Sequence, residues 1–127
     1  MKIILANEIE LSPINIMGEK RTVQGAQRDV LSFIFPVDTS MDELDRLFTE
    51  KNCETIKIVN GDKEYIHNSY TIRTELKREP IEVAKATDAA NSIYENRVIV
   101  SMGQRTYMET QIAQMQASMN ALLNGEV

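Results

Sequence analysis

The sequence predicts an α+β protein: a mostly antiparallel β body over residues 1–104, with one short capped helix, and an amphipathic helical tail over residues 105–127. Three observations predict it. Short runs alternate apolar and polar residues and are parted by turn residues. A Ser-x-x-Glu signature at Ser40 precedes a helical apolar period. The stretch from Tyr107 to Leu123 has neither Pro nor Gly, and its apolar residues recur at 4-3-4-3 spacing.

The elements follow in order. Residues 2–6 and 8–11 read as two short strands around a turn at Asn7, and Pro13 interrupts. Ile14 and Ile16 alternate briefly, and Gly18 is expected to close that segment before a polar stretch from Glu19 to Gln27. From Asp29 to Phe35, Leu31, Phe33 and Phe35 share one face and Val30, Ser32 and Ile34 the other, the pattern of a central strand buried on both sides. Pro36 ends it. Ser40 and Glu43 then form a capping box, with Asp42, Glu43 and Asp45 at the positive end of the helix dipole. Met41, Leu44, Leu47 and Phe48 extend it as a helix over about 41–50. Capping accounts for these carboxylates without a metal ion.

Residues 54–59 alternate through Ile56 and Ile58 into Asn60-Gly61, a strong hairpin signal. A two-residue loop there sets Tyr65 opposite Ile56, and a four-residue loop sets it opposite Ile58. Tyr70, Ile72, Thr74 and Leu76 are expected on one face of the next strand, and Thr71, Arg73, Glu75 and Lys77 on the other. Ile81 and Val83 start a further strand after Pro80. Residues 84–92 read as a mobile small-residue loop, and Val98, Val100 and Met102 mark a last strand ending at Gly103.

The tail, a helix over about 105–123, carries Met108, Ile112, Met115, Met119 and Leu122 as a heptad seam, with Gly125 as a stop signal. Its other face has Thr110, Gln111, Gln114 and Asn120, polar but uncharged. One reading packs this helix on the chain's own sheet. The other makes the seam an oligomer or partner contact, for which flexible methionines are suited. Neither dimer nor trimer is selected by Ile, Met and Leu at these positions. At about two and a half heptads the seam is too short to hold as an isolated helix, so it needs the body or an assembly.

Composition narrows the function. A chain of 127 residues suits one domain with one core, and 43% hydrophobic with 26% charged residues is a folded rather than a disordered balance. A net charge of −5 opposes nucleic-acid binding and docking on anionic lipid. No apolar run reaches the ~18–20 residues a membrane span needs. Ile3 to Ala6 is short for a signal peptide, so no secretory route is expected. Cys53 has no disulfide partner and reads as a small buried apolar residue. The only histidine, His67, has no serine in a glycine-flanked elbow to serve, and one His with one Cys cannot furnish a zinc site. The glycines at 18, 25, 61, 103 and 125 build no phosphate loop. Catalytic, cofactor-binding and metal residues are therefore expected to be none, and the protein is expected not to be an enzyme.

Several stretches resemble short proteins encoded in the tail-gene region of phages and prophages of Gram-positive bacteria. They are Val23-Gln24-Gly25-Ala26 with Arg28-Asp29, Leu31, Phe33 and Phe35; Met41-Asp42-Glu43-Leu44-Asp45 with Leu47-Phe48; Cys53-Glu54-Thr55-Ile56; Tyr65-Ile66-His67; Tyr70-Thr71-Ile72-Arg73 with Glu75-Leu76; and Gln104-Arg105-Thr106-Tyr107. The likeness covers most of residues 2–110 and fades in the tail. It implies a virion component, a tail or baseplate part made in the host bacterial cytoplasm. Its expected partners are other copies of itself, as dimer or trimer, or other tail proteins. The alternative expectation is a small phage-encoded binding or inhibitor protein acting on a host factor.

Overall fold

The computed structural model describes residues 1–84 and 93–123. The loop expected over 84–92 lies, past Ala84, outside the described residues, as does Gly125. The N-terminal apolar runs pair as expected: β1 (Lys2–Ile4) and β2 (Glu10–Leu11) are antiparallel, with Ile3 opposite Leu11. Glu8, at φ 69, makes the reversal, and its N–H donates to the Leu5 carbonyl at 2.9 Å.

β3 (Asn15–Val23) and β4 (Ala26–Pro36) form a long hairpin, from Asn15 opposite Ile34 to Val23 opposite Ala26. This corrects the expectation that Gly18 closes the segment. The run from Glu19 to Thr22 is an edge strand largely open to water, so it has no apolar face to show. Gln24 and Gly25, at φ 50 and 78, make its turn, and paired positive φ values match the twist of the flanking strands.

α1 (Met41–Leu47) starts as expected, with Ser40 Oγ accepting from the Glu43 N–H at 3.2 Å. It stops at Leu47 rather than near residue 50. Phe48 leaves the helix at ψ 65 to enter the core, and Asn52 Nδ2 donates to the Leu47 carbonyl at 3.0 Å.

β5 (Thr55–Asn60) and β6 (Lys63–Asn68) form the expected hairpin with a shifted turn. The two turn residues are Gly61 and Asp62, so Asn60 faces Lys63 and Tyr65 faces Ile58. Gly61, at φ 63, supplies the left-handed backbone.

β7 (Ile72–Ala84) pairs with β8 (Ile93–Gly103), and two expectations fail there. Arg73 faces Met102 but Glu75 faces Ser101, so a bulge at Thr74 breaks the strict alternation. Leu76 opposite Val100 keeps its place against the core, and Arg73 comes to the same side. Pro80 does not divide the strand. β7 is an edge, where a missing N–H costs no ladder bond, and Pro80 sits within it opposite Asn96.

The strands form two antiparallel sheets, ordered β2-β1-β5-β6 and β3-β4-β8-β7. The protein is α+β and mostly β. One core joins both sheets: Ile3, Leu5, Ile56 and Ile58 meet Phe33, Phe35, Val98, Val100 and Met102. α1 adds Leu44 and leads into Phe48, whose ring lies 5.5 Å from that of Phe33 and 6.3 Å from that of Phe35. Cys53 is fully buried here, and burial pushes its thiol up to about 12. β4 is buried on both faces, as expected. On its outer face Ser32 Oγ lies 2.7 Å from Ser101 Oγ, beside Val30 and Ile34. A row of ion pairs through Glu19, Arg21, Glu75 and Lys77 flanks that face.

The C-terminal helix and its anchor

The last element is α2 (Tyr107–Leu123), which follows β8 after three linking residues that are tied to the body. The Gln104 N–H donates to the Asp29 carbonyl at 2.9 Å, and the Arg105 N–H to the Ser69 carbonyl at 2.8 Å. Gln104 Nε2 adds a bond to the Asn68 carbonyl at 3.0 Å, and the Arg105 guanidinium pairs with Glu50.

Thr106 and Glu109 then cap the helix reciprocally. The Glu109 N–H donates to Thr106 Oγ1 at 3.2 Å, and the Thr106 N–H donates to Glu109 Oε1 at 2.9 Å. The same carboxylate is gripped from the sheet. Arg28, only 3% exposed, donates through Nη1 to Glu109 Oε1 and through Nη2 to Oε2 at 2.9 Å. Its Nε donates to the Val23 carbonyl at 2.9 Å and its Nη1 also to the Gln104 carbonyl at 3.2 Å. The fork fixes the plane of the carboxylate as well as its place. The Arg28 bonds, followed by the Thr106 N–H, hold the Glu109 carboxyl down at about 2. The bonds that Arg28 donates to Glu109 raise the Arg28 pKa in turn.

Beyond this anchor the helix is uncovered. No residue of α2 is buried. Met108, Ile112, Met115, Met119 and Leu122 are 68%, 49%, 64%, 59% and 63% exposed, along one line of the helix. Seventeen residues at 1.5 Å rise make it about 25 Å long. Its single charge, Glu109, is taken by Arg28, so Thr110 to Leu123 presents an apolar row between uncharged polar flanks. Of the two readings of the tail, packing on the chain's own sheet is not the arrangement found.

The anchor was partly legible in advance. Thr106-x-x-Glu109 is the same signature as Ser40-x-x-Glu43. Arg28 carries no such signal, because it lies 81 positions from the carboxylate it holds. The remaining polar candidates lie apart. His67 is on β6, edge-on to the Tyr70 ring at 5.7 Å, and Cys53 is in the core. Among the described residues, no three His, Cys, Asp or Glu side chains gather as a metal set, and no helix is long and apolar enough to cross a membrane. No protein-family model matches the sequence, and neither curated proteins nor solved structures give a match.

Proposed function

We propose that this protein is a structural part of a phage virion, a tail or baseplate component, whose copies join through α2. One observation carries the assembly half of this reading: a rigidly anchored helix leaves the body with its whole apolar row in water. Each such Ile, Leu or Met side chain gains about 1.5–3 kcal/mol on full burial, which the isolated chain forgoes. A second copy offers the same row, and a heptad seam is self-complementary by construction. The anchor lowers the cost of assembly, because it fixes the first turn and the direction of the helix before the row meets its partner. The virion half rests on the resemblance of residues 2–110 to phage tail-region proteins, with which a β body bearing an assembly helix is consistent.

Mass spectrometry of purified virions tests the second half. The protein is expected at a stoichiometric copy number. Its absence from virions, with recovery of one host protein on the tagged chain, would instead favour the alternative, an inhibitor whose α2 row fills a groove on a host factor. The acidic charge of −5 is compatible with that alternative.

A further inference from the structure

The apolar row of α2 has a direction, and the direction limits how two copies can share it. Read from the base, Met108, Ile112, Met115, Met119 and Leu122 are spaced 4-3-4-3. Two parallel rows in register bring all five residues level with their counterparts, each side chain facing the same residue of the other copy. Reversed, the row reads 3-4-3-4. Antiparallel rows therefore match only after a slip, and each of the two smallest slips keeps four of the five levels. One pairs Ile112 with Met115 and Met108 with Met119. It then sets Leu122 beside Arg105, a linking residue whose guanidinium is held by Glu50. The other pairs Ile112 with Leu122 and Met115 with Met119, and it leaves Met108 past the end of the partner's row.

A parallel arrangement also needs the body to leave the base of the row open. Glu109 projects about 100° round the helix from Met108. Arg28 grips the helix on the Glu109 side, and Met108 stays 68% exposed. The row is therefore open from its first turn to Leu122. The net charge of −5 per copy is screened beyond about 8 Å at physiological salt, so it does not force the bodies to opposite ends.

We infer that the copies stand parallel, about a rotation axis that runs along α2, with every β body at the Tyr107 end and every helix tip at the Leu123 end. The inference rests on the reading of α2 as the contact between copies, and it adds what that contact builds. The product is a particle with two unlike ends, a head of β bodies and a helical stalk about 25 Å long. An antiparallel pair would carry a body at each end and close at two copies, whereas a parallel arrangement closes equally at two or three.

Disulfide trapping in the full chain tests this. Facing seam positions come within disulfide reach. Leu122 is 63% exposed, so Leu122→Cys leaves the β body intact. On oxidation, Leu122→Cys should cross-link to itself roughly tenfold faster than either antiparallel probe forms mixed dimers. Those probes are Ile112→Cys mixed with Leu122→Cys, and Met108→Cys mixed with Met119→Cys. In the parallel arrangement their paired positions lie about 15 Å or more apart along the axis. One variant of each mixture carries a mass tag, so that mixed dimers are counted apart from dimers of a single variant. The native Cys53 is buried and does not compete. Mixed dimers that form as fast as the Leu122→Cys dimer, or faster, overturn the parallel arrangement. An oligomer by light scattering in which Leu122→Cys does not cross-link overturns the orientation alone. A native chain that stays monomeric overturns the orientation together with the α2 contact.

Discussion

At the scale of single residues, the account turns on Arg28 and Glu109. The carboxyl is lowered from 4.5 to about 2 in the folded chain. A depressed carboxyl contributes stability that is present above its unfolded value and lost as pH falls toward the folded one. Chemical denaturation across pH 4.5 to 2 should therefore show the native chain losing more stability than Glu109→Gln, which has no proton to take up there. Equal acid losses would mean that the clamp does not form. In the core, Phe48→Ala removes the ring that packs against Phe33 and Phe35 and should cost about 3–5 kcal/mol in urea unfolding. Phe48 was legible as an apolar helical position. Its role as the residue that ends α1 was not, because only the neighbouring core makes leaving the helix favourable.

At the scale of elements, local chemistry is legible in the sequence and long-range compensation is not. Ser40 announced α1, and Ser40→Ala should cost about 1 kcal/mol, measured by thermal or urea unfolding. In the sequence Gly25 is one of five scattered glycines, yet it makes the β3–β4 turn at φ 78. Gly25→Ala meets no neighbouring atom, so any loss comes from backbone conformation alone, about 1 kcal/mol. The polar run at Glu19 to Thr22 hid a strand because an edge strand in water needs no apolar alternation. The bulge at Thr74 and the continuity through Pro80 depend on β8 as the partner strand, and no residue of β7 by itself signals either.

At the scale of the whole molecule, the change in composition after Gly103 marks where β8 ends and a helix follows, but the joint between them is not legible in the sequence. Arg28, Gln104, Arg105 and Glu109 weld the helix base to the sheet, and only the fold brings them together. The joint leaves α2 fixed at one end and bare along its length, and the central claim is that other copies cover it. Light scattering on the intact chain and on Ile112→Glu/Met115→Glu tests this most directly. Glutamates inside a seam would be buried without partners, a strongly unfavourable exchange. The account predicts a discrete oligomer, dimer or trimer, for the native chain. It predicts a monomer for the variant, with the unfolding temperature of the β body unchanged. A native chain that is monomeric at every concentration, or a variant that assembles as the native chain does, would contradict it.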